Sequence, residues 1–260
     1  MTELVSYELK DNVAVICFNR PEVRNAFSTE LATAFSEAID RACTEASAIA
    51  LFGNGQSFCA GADLKGNRLD DNGTKPDMGE RLETVFNPLI SKLRTLPIPL
   101  VIGVQGAAAG IGCSFALMGD IIVAGRSAYF LQAFCNIGLV PDGGSAFLLA
   151  KSVGRIKAME LMLLGERFPA EEAHQAGLIT RVVDDEEINE TAMTIAKKLA
   201  SGPQKALALI RQSAWAALET NFEDQLNNER QFQREAGYTE DFREGVAAFR
   251  EKRKPNFTGK

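Results

Sequence analysis

Apolar residues recur along the chain with two periods. Residues 5–9 and 13–18 alternate or run apolar around Asp11-Asn12, which predicts a β-hairpin. Phe27, Leu31, Phe35 and Ile39 then recur every four residues and predict an amphipathic helix over 28–44. A short buried strand follows at 48–52, then a glycine-rich loop and a polar stretch over 66–80. Helical spacing returns over 78–96, a β-rich run occupies 100–104, and a helix is predicted at 111–118. The pattern further predicts strands at 121–124 and 178–183, a strand or loop at 129–131, and helices at 144–150, 155–163 and 169–176. From about 187 onward the spacing is helical and heavily charged. Strands and helices alternate in the first two thirds, which implies an α/β core with crossover connections and a helical C-terminal third.

The 260 residues are 46% hydrophobic and 24% charged, enough apolar material for one full core. A net charge of −6 argues against a nucleic-acid partner and leaves Lys252-Arg253-Lys254 as a solvated helix face. The five cysteines, Cys17, Cys43, Cys59, Cys113 and Cys135, show no metal-ligand or redox spacing. With no apolar leader at the N-terminus, they predict reduced thiols in a cytoplasmic protein. The uncharged run over 95–119 is broken by Pro97, Pro99, Gln105 and several glycines, so no membrane span is expected. His174, the only histidine, falls among Glu171, Glu172 and Gln175 on a short helix, a solvent-facing setting. That count excludes a histidine-rich metal site.

Two segments carry candidate chemistry. The first is GAAAGIG (106–112), between a predicted strand and a predicted helix, where free backbone N–H groups and a helix dipole favour negative charge. A dinucleotide loop would stand on the first strand and need a Tyr-x-x-x-Lys pair. Here Tyr7, Tyr129 and Tyr238 are followed four places on by Asp11, Ala133 and Phe242. A serine hydrolase would use GCSFA (112–116) as its nucleophile elbow, with Ser114 activated by His174. The remaining reading is half of an oxyanion hole, completed by a donor from FCAGADLK (58–65). The second segment is PDGG (141–144): Asp142 is the only charged residue from 127 to 150, within strong turn chemistry.

Six fragments in order give the chain a family resemblance. They are NRPEVRNAF, SFCAGADLK, PLVIGVQGAAAGIGCSFALMGDIIVA, NIGLVPDGGS, GERFPAEEAHQAGLITRVV and EGVAAFREKRKPNF. Together they resemble the crotonase (enoyl-CoA hydratase/isomerase) superfamily over nearly the whole chain. The resemblance implies a spiral of β-β-α units over 1–195 and a helical region over 196–260 that mediates homotrimers, usually paired into hexamers. It implies an acyl-CoA thioester as substrate, with coenzyme A part of that substrate and no separate cofactor. It places the oxyanion donors at the Ala62 and Ile111 N–H groups. Ala60, Asp63 and Leu64 match coenzyme A contacts, Arg24 a phosphate contact, and Phe249 and Lys252 contacts to the nucleotide from a neighbouring subunit.

The same resemblance bears on the reaction. The two positions where classical hydratases carry glutamates hold Ser114 and Phe134. Asp142 matches a position where other members place an acid, among them dienoyl-CoA isomerases. One carboxylate suffices to move a proton between two carbons, so an acyl-CoA double-bond isomerase is expected, with Phe130, Phe134 and Leu139 as candidate acyl-pocket walls. An apolar pocket should raise the pKa of Asp142. The alternatives are a hydratase-like reaction with an acid from Asp70, Asp71 or Asp77, a ring-opening isomerisation, and a non-catalytic CoA-binding protein.

Overall fold

The computed structural model describes residues 3–64 and 77–260. β1 (Val5–Lys10) and β2 (Val13–Phe18) form the antiparallel hairpin. Asp11 and Asn12 both adopt the left-handed φ that a two-residue turn requires. β3 (Ala48–Gly53), β4 (Leu100–Val104), β6 (Ile121–Gly125) and β9 (Arg181–Val183) extend this sheet in parallel, in the order β1-β2-β3-β4-β6-β9. A second, smaller sheet joins β5 (Ala107–Ala109), β7 (Tyr129–Leu131) and β8 (Arg167–Pro169).

The two sheets are built by a repeating step. β4 leads into β5 and then α3 (Ile111–Ala116), while β6 leads into β7 and later α4 (Ser145–Ser152). The second step stacks on the first, β6 beside β4 and β7 beside β5. A bridge between Cys59 and Ala108, and another between Phe27 and Ala62, extend the same stacking to earlier turns of the chain. The β-β-α spiral is therefore present.

Parallel strands buried on both faces show no polar alternation. Ile49 and Leu51 of β3 join the larger core with α1 (Thr29–Glu45), whose N-cap Ser28 accepts from Leu31 N–H at 3.2 Å. Edge-to-face rings knit that core: Phe18 stands 5.0 Å from Phe27 and 4.9 Å from Phe35. The alternate positions Ala48, Ala50 and Phe52 face α7 (Ile188–Ala200) through Ala192, Ile195 and Ala196. The expected boundary at 195/196 falls inside that helix.

Several elements differ from expectation, each for a local reason. The strand expected over 178–183 is only Arg181–Val183, because Leu178 N–H instead closes the end of α6 (Ala170–Gln175) on Ala173 O. The helix expected over 78–96 opens with a wide turn at Leu82–Phe86, where Asn87 N–H reaches back to Leu82 O. Pro88, without an N–H, stands at the junction with α2 (Asn87–Arg94). The helix at 111 stops at Ala116, and β5 and β8 were not anticipated. α5 (Gly154–Leu164) matches closely. Among the described residues, no helix is long and apolar enough to cross a membrane.

α8 (Gln204–Ala217), α9 (Phe222–Gly237) and α10 (Glu240–Glu251) complete the chain. One buried cation fastens α8 to the core. Arg211 Nε meets both Asp120 oxygens at 2.8 and 2.6 Å, and its other nitrogens donate to Leu96 O and Leu93 O. Removing that guanidinium strands a largely buried carboxylate and two carbonyls. Arg211→Ala is predicted to cost about 3–5 kcal/mol of unfolding free energy by urea denaturation. A loss below about 1 kcal/mol would show that the anchor is superfluous.

Candidate active site

Three backbone segments converge. Asn25 is fully buried, and its side-chain amide donates to Asn54 O at 3.0 Å and Ser57 O at 2.8 Å, tying the 19–27 loop to the segment that follows. That segment is held from two sides. On one, Ala60 N–H donates to Arg24 O, Phe27 N–H to Gly61 O, and Asp63 N–H to Phe27 O. On the other, Cys59 N–H donates to Ala107 O and Cys59 O accepts from Ala109 N–H. Gly61 N–H faces Cys59 Sγ at 3.5 Å. Ala62 N–H, between these clamps, is donated to no described residue.

α3 begins on the adjoining loop. Gly110 takes φ 53° and ψ −129°, a conformation open to glycine, and its carbonyl receives Cys113 N–H and Ser114 N–H. Ile111 N–H, first in the helix, has no intrahelical acceptor and no described partner. The two loops touch: a Cβ on Gly110 would lie 3.7 Å from Gly61 Cα, and one on Gly61 would lie 3.2 Å from Ala109 O. The unengaged amides of residues 62 and 111 each follow one of these glycines.

The PDGG turn packs onto the same helix end. A Cβ on Gly143 would overlap Ile111 Cδ1 and Ser114 Cβ, at 2.6 and 2.7 Å. The Asp142 carbonyl accepts from Ser145 N–H, Ser145 Oγ and Ser114 Oγ at 3.1, 2.9 and 2.9 Å. Its carboxylate is treated differently. Oδ1 is buried and has no hydrogen-bond partner among the described residues. Burial, with no charged neighbour opposing it, lifts the Asp142 carboxyl to about 6. The group is then largely ionised at neutral pH and still a stronger base than an exposed aspartate.

Phe134 is 6% exposed, and its Cζ lies 3.9 Å from the position of a Cβ on Gly110, at the mouth of α3. Leu139 is half-buried, with its N–H on Phe134 O. Phe130 is committed elsewhere, in the hydrophobic core opposite Phe168 across β7 and β8. Ser114 is fully buried with its hydroxyl on the Asp142 carbonyl. His174 is exposed on α6 with Nδ1 near Ile179 O, so the Ser–His contact needed by a hydrolase is not formed.

The expected coenzyme A positions are distributed as follows. Arg24 is exposed at a left-handed turn beside Ala60. Asp63 pairs with Arg20 at 3.1 Å, and Leu64 is half exposed. Phe249, 86% exposed, and Lys252, which ends α10 with left-handed φ, lie in the C-terminal helices. Asp77 Oδ1 accepts Gly79 N–H, while Asp70 and Asp71 lie outside the described residues. Two site residues escaped sequence reasoning: Ser145, and Gln132, whose side chain bridges Ser145 Oγ and Cys113 Sγ. An isolated glutamine in an apolar run was the available signal.

Comparison with known proteins places the whole chain in one family. The enoyl-CoA hydratase/isomerase family model matches residues 8–260. The chain is 42% identical to 1,2-epoxyphenylacetyl-CoA isomerase of Escherichia coli over 100% of both chains. It is 33% identical to 2,3-dehydroadipyl-CoA hydratase of the same organism, again over 100% of both. The crystal structure of an enoyl-CoA hydratase from Polaromonas sp. JS666 superposes with a TM-score of 0.90 at 31% identity, covering 98% of this chain and 99% of that one. A whole-length match of this kind, on a β-β-α spiral that brings two glycine loops into contact, means that the chain belongs to the enoyl-CoA hydratase/isomerase family of enzymes.

Proposed function

We propose that the protein is an acyl-CoA isomerase that shifts a double bond through a thioester enolate, with Asp142 as the single proton shuttle. The Asp142 carboxylate takes a proton from the carbon between the thioester and a β,γ double bond. The electron pair moves onto the thioester oxygen, giving a dienolate. The Asp142 carboxyl then returns the proton to the γ carbon, leaving the conjugated α,β-unsaturated thioester. Nothing is gained or lost overall.

The Ala62 and Ile111 N–H groups would hold the developing oxyanion. Each such donor typically contributes about 2.7–4 kcal/mol to the transition state, aided here by the start of α3. Arg24, Ala60, Asp63 and Leu64 would contact coenzyme A. Phe249 and Lys252 would reach it from a neighbouring subunit of a homotrimer or homohexamer, an arrangement that suits so exposed a phenylalanine. The observation that carries the proposal is the solitary carboxylate. Asp142 is half-buried, its Oδ1 is buried with no partner among the described residues, and its turn packs through Gly143 on the helix end where the Ile111 amide has no described partner. Ser114 and Phe134 supply no second acid for activating water. The 42% relative named for an epoxide substrate supports a second reading, in which the same groups open a ring beside the thioester.

Wild-type protein should convert a β,γ-enoyl-CoA to its conjugated isomer without forming a product heavier by one water, followed by absorbance and mass spectrometry. Asp142→Asn should lower that rate about 10²–10⁴-fold. Full activity in the variant, or net hydration by the wild type, would overturn the proposal. Below pH about 6 the base is protonated, and kcat/KM should fall tenfold per pH unit.

The same burial has a stability signature. The folded state holds the Asp142 proton more tightly than the unfolded chain, whose carboxyl titrates near 3.8. Folding stability therefore declines as pH rises from about 4 to about 6. Asp142→Asn should gain about 1–2 kcal/mol more at pH 8 than at pH 4, by chemical denaturation at both. An equal effect at both pH values would contradict it.

A further inference from the structure

Ser114 stands three residues after Ile111 in the first turn of α3, one helical turn from the amide proposed to hold the oxyanion. Its hydroxyl leaves the helix and donates to the Asp142 carbonyl at 2.9 Å. The other donors to that carbonyl, Ser145 N–H and Ser145 Oγ, belong to the aspartate's own turn. Ser145 Oγ also lies 3.1 Å from Gln132 Oε1, so its single proton is shared between two acceptors. Ser114 is therefore the hydroxyl that ties the PDGG turn to α3. Gly143 permits the tie, since a Cβ there would lie 2.7 Å from Ser114 Cβ. One residue further back, Cys113 Sγ accepts from Gln132 Nε2 at 3.3 Å, so consecutive side chains of α3 engage the segment before Asp142 and Asp142 itself.

We infer that Ser114 is a positioning residue, whose hydroxyl sets the separation between the Asp142 carboxylate and the Ile111 amide. The inference rests on the proposed isomerase reading. Proton transfer between two carbons needs one carboxylate to serve both while the oxygen stays fixed, and displacement by about 1 Å can cost about 10²-fold in rate. A serine that merely filled space would have a different mutational pattern from one that holds the base in register.

The test uses the full chain and a β,γ-enoyl-CoA, with Ser114→Ala and Ser114→Thr compared with wild type. Ser114→Ala should lower kcat about tenfold, leave KM within twofold, and move the acid limb of the pH profile downward as Asp142 gains hydration. Ser114→Thr keeps the hydroxyl and should restore both kcat and the acid limb. A packing role reverses that order, because Thr adds a methyl beside Gly143 while Ala removes only one atom. Full kcat with an unmoved acid limb in Ser114→Ala, or Thr worse than Ala, would overturn the inference while the wild type isomerises normally. A wild type that does not isomerise would overturn the functional proposal and this inference together.

Discussion

Contact between the Gly61 and Gly110 backbones governs the geometry around it. Each loop is fixed before they meet: residues 59–63 are laced to Phe27 on one side and to β5 on the other, and Gly110 N–H is fastened to Leu131 O on β7. A Cβ on Gly112 would lie 2.6 Å from Cys59 Sγ and Cys59 O, so side-chain bulk is excluded beneath the pair as well. Cys59 belongs to this packing and not to the chemistry. Full burial pushes its thiol up to about 12, which keeps it protonated and inert. Two amides without a partner among the described residues are thus carried on sheet-supported backbone, as the proposed oxyanion hole would require.

The electrostatics of Asp142 follow from what surrounds it. Among the described residues, buried Arg211 is paired with Asp120, and buried Asp241 accepts from Thr258 N–H and Gly259 N–H. Asp142 instead has serines on its carbonyl and nothing on Oδ1 among the described residues, so its carboxylate is destabilised by burial alone. An arginine beside it would lower the carboxyl's pKa and make it a weaker base. The cost in stability and the gain in basicity have one origin, the desolvation of the carboxylate.

Much of this was legible in the sequence because the signals are local. Asp11-Asn12 at a hairpin, the four-residue recurrence from Phe27 to Ile39, and glycines around a strand-to-helix junction each act within a few residues. β5 and β8 escaped because Ala107–Ala109 and Arg167–Pro169 are three residues long and owe their pairing to stacking on β7. Leu178 and Ile179 read as strand but are buried by packing, without ladder bonds. Phe130 and Phe134 are equivalent as letters; only register separates the core-facing ring from the one at Gly110. The tie from Ser114 to Asp142 spans 28 positions, beyond the reach of any local pattern.

Vibrational spectroscopy of a bound thioester tests the central claim most directly. A β,γ-enoyl-CoA labelled with ¹³C at the thioester carbonyl, bound to Asp142→Asn so that it persists, would report hydrogen bonding at that oxygen by isotope-edited infrared difference. If the Ala62 and Ile111 amides both donate to it, the carbonyl stretch falls below its frequency in water. A stretch at or above the aqueous value, with the ligand demonstrably bound, would contradict the account.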